Sequence, residues 1–154
     1  MKYLKTFENK SEKTKSTILI SAFPGTGKSH LFKNNKELKI LDSDSSTFDK
    51  DGFPNNYIEH IKENIGKVDI ICISSHKEVR EALVDNDLMY ILVYPNIELK
   101  EEYIKRYKER GNEQVFIDMI GEKWEEWITD VSKQEKCLKV ELQKGEFLGD
   151  KFQL

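Results

Sequence analysis

The sequence predicts an α/β protein built on a five-stranded, mostly parallel sheet flanked by helices. Two observations support this fold class: short apolar runs rich in β-branched residues alternate with segments of helical periodicity, and the first run leads directly into a glycine-rich turn. Such alternation is typical of parallel sheets covered by helices. The 154 residues contain no internal repeat or linker. We therefore expect a single domain over 1–154, with a polar leader at 1–15.

Five apolar runs are the predicted strands. The first (TILISAF) and fourth (MYILVY) are continuous apolar segments of the kind that is buried on both faces of a parallel sheet. The runs lie at 17–23, 38–41, 68–73, 89–94 and 138–142. Ligands of parallel sheets bind at the carboxyl ends of the strands, so the residues directly after each run are the candidates for a site.

Helices are predicted between these strands. In the second helix, Ile58, Ile61 and Ile65 recur at helical spacing, and Gly66 is a natural C-terminal cap. The predicted helices cover 29–34, 57–65, 77–84, 97–109 and 116–133.

Composition excludes several classes of protein. With 38% hydrophobic and 34% charged residues the chain is neither disordered nor a membrane protein, and we expect a cytoplasmic protein, monomeric or homodimeric, without a membrane partner. A net charge of -3 gives no basic footprint, so nucleic acid is not an expected partner. Cys72 and Cys137 are too few for a disulfide scaffold or a four-cysteine zinc site, and we expect both to be packing residues.

The turn after the first strand carries the most specific motif. Residues 22–29 read AFPGTGKS, the phosphate-loop spacing GxxxxGK(S/T) with Ala22 in place of the first glycine. In such a loop the backbone N–H groups surround a phosphate, Lys28 supplies a positive charge and the Ser29 hydroxyl ligates Mg²⁺. The alternative is a glycine-rich turn that binds nothing. The predicted ATP-binding residues are Pro24, Gly25, Thr26, Gly27, Lys28, Ser29 and His30.

With this loop, the order of its elements and its small size, the chain resembles the P-loop kinases of small acceptors, which include nucleoside monophosphate, shikimate and gluconate kinases. It looks closest to compact nucleotide-kinase-like proteins of bacteriophages and AT-rich Gram-positive bacteria, with DSDSS, SSHKEVR and LVYPN as similar segments. The resemblance spans about 17–142. It implies a three-layer P-loop NTPase fold, an ATP- and Mg²⁺-dependent phosphotransferase and a small acceptor, foremost a nucleoside or deoxynucleoside monophosphate.

Two acidic residues follow the second strand. Asp42 and Asp44 are two apart, so on an extended chain both carboxylates point the same way, toward the expected γ-phosphate. Resemblance to the shikimate-kinase-like group implies that Asp42 supports Mg²⁺ and the acceptor, and that Asp44 orients the acceptor in catalysis. The alternative is that DSDSS serves only as a turn and helix cap.

Only three of the 25 basic residues are arginines, namely Arg80, Arg106 and Arg110. A guanidinium grips phosphate or carboxylate with two parallel hydrogen bonds, which lysine cannot do. Resemblance to gluconate kinases implies that Arg80 binds an anionic acceptor; the alternative is an exposed ion pair with Glu78 or Glu81. Resemblance also implies a lid over about 98–135 that brings Arg106 and Arg110 to the transferring phosphoryl group, against the alternative of a solvated charged helix.

The third strand departs from the family pattern. It lacks a carboxylate at its end, because Asp69 lies near its beginning, so metal support falls to Asp42, to Asp44 or to a water held by Ser74.

Several aromatic residues remain to be placed. We expect Trp124 and Trp127, three apart, to form a core stripe or a self-association face rather than a platform for a base. An acceptor base is instead expected near Phe48, Phe53 or Tyr57, which follow the second strand as in monophosphate kinases.

Two other interpretations of the function stay open. One is a kinase of a hydroxyl acceptor, either a metabolite or a 5′-OH polynucleotide end, for which Asp44 would act as a base. The other is a regulatory nucleotide-binding protein without a small substrate, although no NKxD-type guanine-reading segment follows the fourth strand.

Overall fold

The computed structural model describes residues 16–152 as an α/β unit with a five-stranded, all-parallel sheet flanked by helices. The prediction of a mostly parallel five-stranded sheet is confirmed, and the bounds of every strand lie within two residues of those predicted. The predicted leader at 1–15 lies outside the described residues. In the spatial order β2-β3-β1-β4-β5, the strands are β1 (Ile18–Ala22), β2 (Ile40–Asp42), β3 (Ile70–Ser74), β4 (Ile91–Pro95) and β5 (Leu138–Leu142).

The central position of β1 places the loop that follows it in the middle of one sheet edge. Ala22, the last residue of β1, pairs with Ser74 on β3 and with Val93 on β4. All five residues of β1 are buried, since the sheet is covered on both faces. The ends of three strands therefore meet around the predicted phosphate loop.

Helices cover the two faces unequally. They are α1 (Lys28–Asn34), α2 (Asn55–Asn64), α3 (Lys77–Asp85), α4 (Lys100–Glu109), α5 (Gln114–Glu122), α6 (Trp124–Ser132) and α7 (Leu148–Lys151). One face packs against α1 and α7 through Leu31 and Leu148, while the other packs against α2 to α6. Short 3-10 turns lie at Ser45–Thr47 and Ile97–Leu99.

The prediction of one helix over 116–133 is wrong. Helices α5 and α6 meet at Lys123, whose φ of -91° and ψ of 2° interrupt the helix. Trp124 at this break is fully buried, and its indole N–H donates to the carbonyl oxygen of Ile97 at 2.7 Å. The apolar spacing runs through the break, from Ile120 to Trp124 to Ile128, so the pattern alone predicted continuity. Helix α7 was not predicted, since four residues show no periodicity.

The structure also bears on the predictions for the two cysteines and for membrane-spanning helices. Cys72 is buried in the sheet, and Cys137 is partly buried against the core; both are free thiols, so the packing interpretation is confirmed. Within residues 16–152, no helix has the length and apolar character needed to cross a membrane.

Candidate active site

A cleft of about 1230 Å³ lies at the carboxyl edge of the sheet. Pockets for one small molecule have typical volumes of about 300 to 1,000 Å³, and this cleft is somewhat larger. It is lined by the glycine-rich loop, by the residues that follow β2 and β3, and by one face each of α4, α5 and α6.

Two loop glycines have backbone conformations that favour glycine. Gly25 has a φ of +85° and Gly27 a φ of +99°, both in the left-handed region. A Cβ on Gly25 would lie 2.8 Å from Cε1 of Tyr107, and one on Gly27 would lie 2.8 Å from Cδ1 of Phe147. Ala22, by contrast, lies within the extended strand β1, where the missing glycine is not required.

The loop presents a set of unpaired backbone donors. Among the described residues, no protein acceptor is bonded to the N–H groups of Gly25, Gly27, Lys28 and Ser29, whereas the Thr26 N–H donates to the Phe23 carbonyl at 3.3 Å. Successive N–H groups around left-handed residues form a concave anion site, and the first turn of α1 continues this one. Such a set of donors can bind an anion.

Contacts from outside the loop fix the direction of these donors. Tyr107 donates its hydroxyl to the Pro24 carbonyl at 2.7 Å, and the Leu148 N–H donates to the Thr26 carbonyl, also at 2.7 Å. Within a planar trans peptide the C=O and the following N–H point in opposite directions. Holding these two carbonyls outward therefore directs the N–H groups of Gly25 and Gly27 inward. The Thr26 side chain is buried, and its hydroxyl donates to the Phe23 carbonyl at 2.8 Å.

Lys28, the predicted positive charge, and Ser29 and Asp42, the predicted metal ligands, all line the cleft. Lys28 Nζ lies 3.1 Å from Asp42 Oδ1, with the two side chains 38% and 45% exposed. So exposed a pair is worth at most about 1 kcal/mol, which leaves Lys28 available to a phosphate. Ser29 is exposed at the start of α1, and the ring of His30 packs on Phe147 with centroids 4.9 Å apart.

The donor set suits Mg²⁺ held jointly with a nucleotide. Among residues 16–152 no cluster of three or more His, Cys, Asp and Glu side chains is arranged to hold a metal. Mg²⁺ in phosphoryl-transfer sites takes one or two protein ligands and completes its shell with phosphate oxygens and water. Ser29 and Asp42 line the same cleft and can supply such a pair.

Asp44 caps the 3-10 turn Ser45–Thr47 and also lines the cleft. Its Oδ1 accepts the Ser46 hydroxyl at 2.7 Å and the Ser46 N–H at 2.9 Å, so the capping interpretation is correct for this residue. The hydroxyl bond, followed by the N–H bond, holds the pKa of Asp44 below its ordinary value. Asp44 also lines the cleft, as a functional role requires, and it is ionised at neutral pH.

Two serines that line the cleft, Ser43 and Ser74, were not predicted from the sequence to lie together. The Oγ atoms of Ser43 and Ser74 are buried and have no hydrogen-bond partner among the described residues. Between them, the Tyr57 hydroxyl donates to the Ser43 carbonyl at 2.7 Å and accepts the Ser74 N–H at 3.2 Å. Serine after a strand is too common to predict such a pair, and the tyrosine that joins the two residues lies on α2.

The expected base site near the second strand is wrong. Tyr57 is fully buried, and Phe48 packs edge-on against it with ring centroids 5.0 Å apart. Phe53 also packs on Tyr57 and on the core. None of the three rings lines the cleft.

Arg80 is 3% exposed, and its guanidinium is already bonded. It forms an ion pair with Asp130 and donates to the Gln134 side chain at 2.8 Å and to the Ser75 carbonyl at 2.9 Å. The alternative of an exposed pair with a neighbouring glutamate is therefore wrong. Arg80 does line the cleft, and its positive charge is balanced by Asp130 on α6.

The two arginines of the expected lid occupy different environments. The Arg106 guanidinium lies between the rings of Tyr103 and Phe147, 4.3 and 4.1 Å from their centroids, and donates to the Gly25 carbonyl at 2.8 Å. Arg110 is exposed at the cleft, 5.9 Å from the Tyr107 ring centroid, and forms no ion pair within residues 16–152. Arg106 therefore supports the loop, whereas Arg110 is available to a ligand.

The two tryptophans also diverge. Trp124 lies in the core against Phe23, as the core interpretation predicts. Trp127 is partly buried and lines the cleft together with Phe116 and Met119.

Comparison of the chain with protein families gives no matching family model, and no curated protein matches it significantly.

Proposed function

We propose that this protein is a P-loop phosphotransferase that uses ATP and Mg²⁺ to phosphorylate a small acceptor, foremost a nucleoside or deoxynucleoside monophosphate. The observation that carries the proposal is the inward-facing set of N–H groups from Gly25, Gly27, Lys28 and Ser29. The N–H groups of Gly25 and Gly27 extend the unpaired donors of the first turn of α1. Together with Lys28, this set suits the β- and γ-phosphates of a nucleotide.

On the donor side, the loop amides hold the phosphates and Lys28 exchanges its exposed bond to Asp42 for a phosphate oxygen. This exchange is inexpensive because both partners are well exposed. Ser29 and Asp42 would hold Mg²⁺, which supplies charge neutralisation of the phosphates when bound. Arg110 can close over the γ-phosphoryl group, where a cation stabilises the transition state.

On the acceptor side, Asp44 supports a phosphate acceptor over a hydroxyl one. A lowered pKa makes this carboxylate a weak base, and a monophosphate is already ionised at neutral pH. Asp44 would then position the acceptor through water or metal rather than remove a proton.

A mass-spectrometric acceptor screen tests the proposal. Purified protein, ATP and Mg²⁺ are incubated with ribo- and deoxynucleoside monophosphates, nucleosides, sugar acids and 5′-OH oligonucleotides. We expect one acceptor class to gain a single phosphate, with activity lost in Lys28→Ala and retained in Lys33→Ala, an exposed lysine on the same helix. Full activity in Lys28→Ala, or no transfer to any acceptor despite ATP binding, would refute the monophosphate-kinase proposal.

One observation favours a hydroxyl acceptor as the second candidate. Arg80, the residue expected to bind an anionic acceptor, has its charge matched by Asp130. For a neutral hydroxyl acceptor Asp44 must take part in proton transfer, so Asp44→Asn should reduce kcat by about 10²- to 10⁴-fold while ATP binding is retained. A much smaller loss of kcat would favour the phosphate acceptor.

A further inference from the structure

The cleft has an apolar wall that the donor half does not explain. Helix α5 contributes Phe116 and Met119, and helix α6 contributes Trp127 and Val131. Met119 is 45% exposed, while Phe116 and Trp127 rest partly on the core. Aromatic rings and a thioether on one wall provide an apolar, polarisable surface suited to stacking.

A hydrogen-bond acceptor also lies along this wall. Asp130 uses Oδ2 for its ion pair with Arg80, and no protein donor within residues 16–152 bonds its Oδ1. Because Asp130 matches the positive charge of Arg80, this wall attracts N–H groups rather than an anion.

The wall belongs to the acceptor half of the cleft. Arg80 links Asp130 on α6 to the Ser75 carbonyl, directly after β3 and next to the strand that ends in Asp42. The other flank of the loop is covered by α7 residues and by Phe147, which packs on His30. A ligand ring that stacks on the Trp127 indole would therefore belong to the acceptor and not to ATP.

From this arrangement, and resting on the proposed phosphotransferase function, we infer that Trp127 and Met119 form the binding site for the acceptor's nucleobase. The base stacks on Trp127, while its ring or amino N–H groups donate to Asp130. Its faces are apolar and its edge carries donors, which matches a wall of apolar surface bordered by an acceptor. Trp127 is thus a specificity residue of the acceptor site.

Fluorescence titration tests this inference without relying on turnover. The chain has two tryptophans, and only Trp127 lines the cleft, since Trp124 is fully buried. In the presence of adenosine 5′-(β,γ-imido)triphosphate and Mg²⁺, nucleoside monophosphates should quench the emission, whereas ribose 5-phosphate should not. Trp127→Leu should weaken monophosphate binding, measured by calorimetry, by about 5- to 150-fold, the range expected for loss of one stacked base.

Matched variants make the result specific. Trp127→Phe keeps an aromatic face and should restore most of the monophosphate affinity, and neither variant should change the affinity for the ATP analogue. Equal binding of ribose 5-phosphate and the monophosphates would overturn the inference. An equal loss of ATP-analogue affinity would also overturn it, as would a protein dimer that Trp127→Leu abolishes without a change in monophosphate affinity.

The two proposals can fail separately. If monophosphates quench Trp127 but no acceptor is phosphorylated, the base site stands and the phosphotransferase function is refuted. If a monophosphate is phosphorylated and Trp127→Leu leaves its KM unchanged, the function stands and the base site is refuted.

Discussion

Arg106 offers the most decisive test of how the phosphate loop is supported. Its guanidinium is 13% exposed, lies between two aromatic rings and donates to the Gly25 carbonyl. Arg110, four residues later, is exposed and stands apart from these contacts. The structure therefore predicts different effects for the same substitution at these two positions. Arg106→Ala should destabilise the fold, whereas Arg110→Ala should reduce turnover without destabilising it.

The size of the effect follows from the contacts of Arg106. A hydrogen bond from a charged donor contributes about 1.5–3 kcal/mol, and each ring contact about 0.5–1 kcal/mol. Ordering the arginine costs about 2 kcal/mol of rotamer entropy. We therefore expect Arg106→Ala to lower the free energy of unfolding by about 0.5–3 kcal/mol, and Arg106→Lys to lower it less. An exposed side chain such as Arg110 should change that free energy by no more than about 0.5 kcal/mol.

Urea unfolding followed by circular dichroism measures both variants against the parent protein. Nucleotide titration on the same samples shows whether loosening the loop also weakens phosphate binding, as expected for Arg106→Ala. The reasoning fails if Arg106→Ala leaves the free energy of unfolding unchanged while turnover falls. That result would make Arg106 a lid residue that acts on the phosphoryl group.

Three further predictions concern the loop and the buried tyrosines. Gly27→Ala should lower the free energy of unfolding by about 1–3 kcal/mol and weaken ATP binding, because an alanine in the left-handed region is strained and its Cβ meets Phe147; calorimetry showing unchanged ATP affinity would contradict this. Lys28→Ala should change the urea midpoint little, because its pair with Asp42 is exposed, so a large loss of stability would argue against that reasoning. Burial raises the pKa of Tyr103 from its ordinary 10.0 to about 12, so above pH 10 the unfolded chain holds fewer protons at this residue than the folded one does. Stability therefore falls with rising pH up to pH 12, and Tyr103 contributes at most about 1.4 kcal/mol per pH unit to this fall. Urea unfolding at pH 8, 10 and 11 should show this decline and a shallower one in Tyr103→Phe; a flat profile would exclude it.

Much of the fold could be predicted from the sequence because the relevant signals are local. A buried strand requires a short apolar run, and the phosphate loop requires glycines and a lysine at fixed spacing, so both are visible within eight residues. All five strands were found this way, and the loop residues share one cleft. What these patterns determined was the class of the sheet and the place along the chain of the loop for which we propose phosphate binding.

Tertiary structure alone decided which polar groups are available to a ligand. Arg80 and Arg106 looked alike as rare arginines, yet their partners lie 50 and 81 residues away, at Asp130 and Gly25. The helix breaks before Trp124, whose indole N–H donates to a carbonyl 27 residues away. Periodicity describes neighbours within a turn or two, whereas the order of the strands brings distant segments together. Burial and pairing are properties of that assembly, and they separate a support such as Arg106 from a candidate ligand group such as Arg110.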